Sequence, residues 1–337
     1  MALAARIAPP QGVAFHTSTD AAPAERGAKH CNVFLRYRNC EMWVHAKGLS
    51  PATVAKCRTA VMLHGIMGTG RNWMSPALKI VERNPGWRIL LTDLRGHGAA
   101  ASAGAAGEPH TLDACARDVR RTVAEAIGDA SHDGVPEVVI GHSFGGKVAL
   151  SLAASALEDG LTPPRDVWVM DSLPGPFPAS SFAPDAYDAA EAQRTQSTEF
   201  VLRAAQRVAA LPHFDRRADI VAALEGEGVG KAAAMWLASA TQKVEKKLTL
   251  AHNFDTVREL YNAYGRTDLW ALLEDATPGV SELRINAVVA GRAAWRESDL
   301  ARLHAGCDWS TTLEESGHNV HVDDLEGTLA ALQRSFD

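Results

Sequence analysis

Long apolar runs are absent from this chain. None of its 337 residues falls in a stretch approaching the ~20 consecutive apolar residues that a bilayer-spanning helix requires, which excludes a helical membrane span. Excess positive charge is absent too. A net charge of -6 and a pI near 6.1 leave no electrostatic basis for gripping nucleic acid or an anionic membrane surface. Cysteine is sparse: Cys31, Cys40, Cys57, Cys115 and Cys307 are scattered, odd in number and never in a C-x-x-C pair. That pattern argues against a zinc site and a disulfide framework, and fits a reducing compartment. No internal repeat is present. What remains is ordinary globular composition, 46% hydrophobic and 22% charged, in a length that suits one large α/β domain with an insertion, or two domains.

Residues 1–30 differ from the rest. They are rich in Ala, Pro, Ser and Thr, lack helical or strand periodicity, and read as a disordered leader. Arg6 and Arg26 suit a targeting segment, Asp20 and Glu25 depart from an organelle transit peptide, and no secretory apolar core is present. The expected location is intracellular: the cytoplasm, or a mitochondrion or chloroplast if the leader is a targeting peptide.

From residue 31 onward strands and helices alternate. Two short runs, 32–37 and 40–45, suggest an antiparallel hairpin. Apolar strands follow at 59–63, 88–91, 137–140 and 166–170, with helices expected over 72–83, 111–127 (Thr111 as N-cap) and 147–157. This alternation predicts an α/β fold: a mostly parallel sheet with right-handed crossovers, flanked by helices, whose ligands bind at the carboxyl ends of the strands. His64, Asp93, Ser143 and Asp171 all lie just past strand ends, on one rim. After residue 173 the alternation lapses. Residues 185–274 read as several helices with no convincing strand, so 173–278 is expected to be a helical lid inserted over the rim. Strands resume at 285–290 and 309–313 before a closing helix over 323–336, which assigns 31–172 and 279–337 to the core.

The sharpest motif is Gly141-His142-Ser143-Phe144-Gly145, between the apolar Val138-Val139-Ile140 and a helical run. A serine flanked by glycines at a strand-to-helix turn is a nucleophile elbow. Side chains at the glycine positions would clash, and the serine is held in a strained conformation that lifts its hydroxyl above the sheet edge. A serine hydroxyl is a poor nucleophile near neutral pH. It needs a base, and the base needs an orienting acid. His318, in Ser316-Gly317-His318-Asn319-Val320-His321, stands where the base should, last in chain order. Its neighbour His321 is expected to pack beneath the loop. Lys147, just inside the elbow helix, is expected to be solvated or packed on its stem.

A tetrahedral intermediate needs two backbone N–H donors for its oxyanion. One is Phe144, next after the serine. The other belongs to the loop His64-Gly65-Ile66-Met67-Gly68, with Ile66 the first choice and Met67 the second. His64 braces that loop. The acid has two sources. The usual position lies after Ala290, yet Gly291-Arg292-Ala293-Ala294-Trp295-Arg296-Glu297-Ser298-Asp299 carries two alanines where an aspartate is expected. Glu297 and Asp299 come late, at a helix start where acids serve as caps. Asp171, on the same rim, can reach the same imidazole and is preferred. Asp93 and His97, in Asp93-Leu94-Arg95-Gly96-His97-Gly98, precede the serine, the wrong order, and read as a structural turn.

The loops 64–68 and 93–98, the elbow 141–146 and Gly317-His318 make the chain resemble the α/β-hydrolase superfamily from about residue 31 to residue 337. More finely, Gly-His-Ser-Phe-Gly-Gly-Lys at 141–147, Met170-Asp171-Ser172-Leu173-Pro174 and Gly317-His318-Asn319-Val320-His321 are similar to a branch of small lidded esterases and thioesterases of bacteria and mitochondria. In that branch the acid follows the strand after the nucleophile, and the later loop lacks its aspartate. The resemblance therefore implies Asp171. The leader, the proline-rich 174–178 stretch and the helical block with Met235-Trp236, Phe254 and Trp270 fall outside the pattern.

Motifs and resemblance together imply a serine hydrolase of carboxylic esters or acyl-thioesters. Ser143 attacks, His318 moves the proton, Asp171 orients the ring, and the Ile66 and Phe144 N–H groups hold the oxyanion. No metal or organic cofactor is implied, and the partner is a small-molecule acyl ester or thioester. Acyl transfer or cofactor-free peroxidation would use the same triad, and a non-catalytic ligand receptor would keep only the fold. Dehalogenase chemistry is disfavoured because position 143 is serine, not aspartate.

Overall fold

Short aliphatic runs punctuated by turns give ten strands in the computed structural model, which describes residues 33–38, 41–101, 109–127, 133–177, 188–275, 282–293 and 295–337. They are β1 (Val33–Arg38), β2 (Glu41–Ala46), β3 (Arg58–Leu63), β4 (Trp87–Thr92), β5 (Val138–His142), β6 (Asp166–Met170), β7 (Thr241–Val244), β8 (Lys247–Leu250), β9 (Arg284–Ala290) and β10 (Trp309–Leu313). Eight of them form one sheet in the order β1-β2-β4-β3-β5-β6-β9-β10. Only β2 runs against its neighbours. The eight expected strands form within one or two residues of their predicted bounds. The expected leader, 1–30, lies outside the described residues.

Side chains alternate across a strand, so each buried strand feeds two layers. Val61, Val139, Val167 and Ile285 face one layer, packed on Cys115 and Val119 of the helix Leu112–Ile127 and on Val148 and Leu152 of the helix Phe144–Glu158. Met62, Ile140, Trp168 and Val288 face the other, against Ala77 and Ile80 of Met74–Arg83 and Leu329 and Leu332 of Leu325–Leu332. Thr111 caps its helix as expected, its hydroxyl accepting from the Ala114 N–H at 3.1 Å.

Among the described residues between β6 and β9 lie six helices, from Ala189–Arg194 to Trp270–Asp275, together with the β7–β8 hairpin. The hairpin corrects the expectation of helices alone. Its strands are four residues each, mostly polar and partly exposed, so no apolar alternation announces them. Its turn is Glu245-Lys246, both in the left-handed region at φ 48° and 73°, a turn geometry that glycine and asparagine usually supply. The closing helix, expected unbroken, comes in three pieces: Val320–Asp323, Leu325–Leu332 and the 3-10 turn Gln333–Ser335. Asp324 makes the first break at φ -135°, ψ 77°, where its carboxylate accepts from the Gly327 N–H at 2.8 Å. No helix among the described residues is long and apolar enough to cross a membrane.

Candidate active site

The strand-to-helix turn after β5 is backbone architecture. Ser143 sits between β5 and the helix Phe144–Glu158 at φ 52°, ψ -117°. A non-glycine residue held there costs about 1–3 kcal/mol, which the surroundings must offset. Its N–H donates to Met170 O of β6 at 2.9 Å. The flanking glycines are sterically required. A Cβ on Gly141 would overlap the Gly145 carbonyl, and one on Gly145 would lie 2.5 Å from Leu63 O of β3.

Asp171 stands to β6 as Ser143 stands to β5. Its N–H donates to Val288 O of β9 at 2.7 Å, its φ is 47°, and its carboxylate is wholly buried. Asp171 Oδ2 accepts from His318 Nδ1 at 2.7 Å. Oδ1 accepts from the Ala290 N–H at 3.0 Å and from Trp295 Nε1–H at 2.9 Å. A carboxylate oxygen accepts, so the bond takes the Nδ1–H of His318 as its donor and leaves Nε2 on the other side of the ring. Glu297 and Asp299 begin the helix Glu297–Gly306; Glu297 is exposed, Asp299 lies 3.8 Å from Arg296, and no hydrogen bond joins either to His318.

The His318 loop is held from below. The His318 carbonyl accepts from His142 Nε2–H at 2.7 Å, and the Gly317 N–H donates to Asp323 at 2.9 Å. Burial, with His321 and His318 nearby, holds His142 well below the usual imidazole range, so it remains a neutral brace. His321 stacks on Trp73 with ring centroids 4.4 Å apart, beneath the loop as expected.

The loop after β3 is fixed by two more neutral histidines. His64 Nδ1–H donates to Gly65 O at 2.8 Å while Nε2 accepts from the Leu94 N–H at 2.9 Å. His97 Nδ1–H donates to Arg95 O at 2.9 Å and Nε2 accepts from the Met67 N–H at 2.9 Å. Burial pulls their pKa values down to about 4 and about 3. The Met67 N–H is thus engaged. Among the described residues the Ile66 and Phe144 N–H groups have no hydrogen-bond partner. Asp93, with its carboxylate on the Gly70 and Ala99 N–H groups at 2.8 and 2.9 Å, is a structural turn residue.

Ser143, His318 and Ile66 line one cavity of about 440 Å³, with Val201 and Trp236 of the inserted helices and Val322 of the C-terminal segment among its walls. That volume falls within the usual range for small-molecule sites. Three side chains around the site, His142, Trp295 and Tyr264, are given no role by the sequence. His142 and Trp295 stood in quoted motifs, but their roles depend on a carbonyl and a carboxylate brought from 176 and 124 residues away. Tyr264 was not singled out at all. Of the two expectations for Lys147, solvated or packed on its stem, the first is corrected: the residue is wholly buried, its head group included, because three backbone carbonyls take the place of water.

Comparison with known proteins extends the geometry. A stretch of this chain is 35% identical over 112 residues to Lipase LipV of Mycobacterium tuberculosis, covering 33% of this chain and 36% of that protein. The chain thus matches about a third of that relative's length. Two solved structures share the fold. A marine microorganism esterase superposes with TM-score 0.60 at 17% identity, covering 90% of this chain and 99% of that one. A thioesterase domain from the curacin biosynthetic pathway superposes with TM-score 0.52 at 16% identity, covering 90% and 98%. The model of the alpha/beta hydrolase family matches residues 60–331, most of the chain's length, and the chain belongs to that family.

Proposed function

We propose that this chain is a serine hydrolase that cleaves carboxylic esters or acyl-thioesters through an acyl-enzyme on Ser143. The observation that carries the reading is the 2.7 Å hydrogen bond from His318 Nδ1 to the buried Asp171 carboxylate, on the rim where Ser143 sits in its left-handed turn. Asp171 fixes the tautomer, so His318 Nε2 takes the Ser143 proton as the hydroxyl attacks the acyl carbon. The tetrahedral oxyanion is held by the Ile66 and Phe144 N–H groups, which among the described residues have no partner to release. His318 then protonates the leaving alcohol or thiol, and water deacylates the serine by the reverse sequence. The acyl group occupies the cavity of about 440 Å³. Residues 173–278 act as a lid, supplying Gln196, Val201 and Trp236 to its wall.

A fluorophosphonate probe should label Ser143, and p-nitrophenyl esters of increasing chain length should be hydrolysed. Ser143→Ala should abolish labelling and lower turnover by about 10³-fold or more while the thermal midpoint is kept. Full turnover in Ser143→Ala would sink the mechanism.

A further inference from the structure

Lys147 lies one turn beyond Ser143 on the helix Phe144–Glu158 and has no solvent exposure. Its Nζ donates to Gly175 O at 2.6 Å, Tyr264 O at 2.8 Å and Thr267 O at 3.0 Å. The ring faces of Tyr264 and Phe177 lie 4.6 and 5.5 Å from the ammonium. These groups come from the two ends of the inserted segment. Gly175 and Phe177 lie just after β6, and Tyr264 and Thr267 close the helix Phe254–Arg266. Burial pulls the Lys147 pKa down to about 7, with Asp268 opposing. An apolar side chain of the same length would fill the space without desolvating a charge, so the ammonium's distinct contribution is the carbonyls it gathers.

Tyr264 connects this clasp to the rim. Its hydroxyl lies 3.3 Å from Ser172 Oγ, and the Ser143 hydroxyl is among the groups that act on the phenol. Its ring meets Phe144 edge-on at 5.9 Å. Burial raises the phenol pKa, so the hydroxyl stays neutral and can donate. A serine hydroxyl has three staggered rotamers, and a polar partner on one side selects among them.

We propose that Lys147 is a positioning residue that clasps both ends of the inserted segment to the helix behind Ser143 and, through the Tyr264 carbonyl and ring, sets where the Tyr264 hydroxyl stands relative to Ser143. The inference rests on Ser143 being the nucleophile.

The test uses the full chain with Tyr264→Phe, Lys147→Met and the double variant. Tyr264→Phe keeps the carbonyl and the ring and removes only the hydroxyl. The readouts are the second-order rate of fluorophosphonate labelling, and kcat and KM on p-nitrophenyl butyrate. Each single variant should lose about ten- to a hundredfold in labelling rate and kcat, with KM within about threefold, as for a misplaced reacting group. The double should be no worse than the stronger single, because both act through one contact. If Lys147→Met does not fold, Lys147→Gln keeps two N–H donors and should show a smaller loss, again in kcat rather than KM. Wild-type labelling and kcat in Tyr264→Phe, or losses that multiply in the double, would overturn the inference. A wild-type protein that neither labels at Ser143 nor hydrolyses the ester would overturn the functional reading instead.

Discussion

Asp171→Asn separates geometry from charge, and its effect follows from the hydrogen bonds of the Asp171 carboxylate. Oδ1 of Asp171 accepts from two donors, the Ala290 N–H at 3.0 Å and Trp295 Nε1–H at 2.9 Å, while Oδ2 accepts from His318 Nδ1 at 2.7 Å. An asparagine must place its carbonyl oxygen on one side and its NH2 on the other. Turning the NH2 toward Ala290 and Trp295 would set donors against donors and leave two buried N–H groups unpaired, at about 1–3 kcal/mol each. The carbonyl therefore stays on that side, and the NH2 faces His318. Nδ1 must then accept, which moves the ring proton to Nε2, the nitrogen that should receive the Ser143 proton. The wrong tautomer costs about 10⁴-fold in turnover at a serine–histidine–carboxylate site, or about 5.5 kcal/mol in the barrier. Steady-state kcat on p-nitrophenyl butyrate measures the loss, and ¹⁵N shifts of the labelled imidazoles report the tautomer. Glu297→Gln and Asp299→Asn should stay within about tenfold of wild type, as caps or surface acids. An Asp171→Asn enzyme within tenfold of wild type, with the proton still on Nδ1 of His318, would refute the reasoning.

Two further predictions concern the scaffold. Burial holds His64 and His321 near about 4, His97 and His252 near about 3, and His142 well below the usual range, so all five are neutral in the folded protein. Because each folded pKa lies below the unfolded value of about 6.5, the unfolded chain binds more protons as pH falls from about 6.5 toward 4, and stability falls with it. At pH 5 the loss is about 2 kcal/mol per histidine, about 10 for the five, against a typical domain stability of about 5–15 kcal/mol. Circular dichroism should therefore show unfolding near pH 5; a chain fully folded at pH 4 would contradict the neutral assignment. Separately, Gly145→Ala should push the elbow helix off Leu63 O and destabilise the fold by about 1–3 kcal/mol, read as a drop in thermal midpoint with lost probe labelling.

The core and much of the proposed site were legible because their signals are local. Aliphatic runs at 59–63, 88–91 and 166–170 become adjacent buried strands, and Gly141 and Gly145 mark a turn that admits no side chain. The choice of Asp171 as the proposed acid draws on elimination, through the alanines after Gly291. The rest depends on partners that leave no mark in the sequence. Lys147 reads as a charge solvated or packed on its stem because its acceptors are backbone carbonyls, 28 to 120 residues distant, and any residue type supplies those. The β7–β8 hairpin is hidden for another reason: Thr241–Val244 has no buried face to impose a period of two.

The loop after β9 bears on how the acid proposed at Asp171 can serve from outside the usual place. β6 and β9 are adjacent parallel strands, with Met170 paired to Val288, so the ends of both face the His318 loop beyond β10. A carboxylate can reach His318 from either end, provided that something satisfies its second oxygen in a buried setting. Here that something comes from the loop that lacks the acid. The Ala290 N–H, at the end of β9, and Trp295, in the loop after it, both donate to Asp171 Oδ1. The small side chain of Ala293 asks for no partner of its own, and Trp295 returns toward β6 with a rigid indole whose one N–H can only donate. A loop carrying its own aspartate would present a second negative charge beside Asp171, and one of the two would then have to stay protonated. Empty alanine positions and a donating tryptophan are thus two sides of one arrangement, in which the loop after β9 supports the carboxylate proposed as the acid at the end of β6.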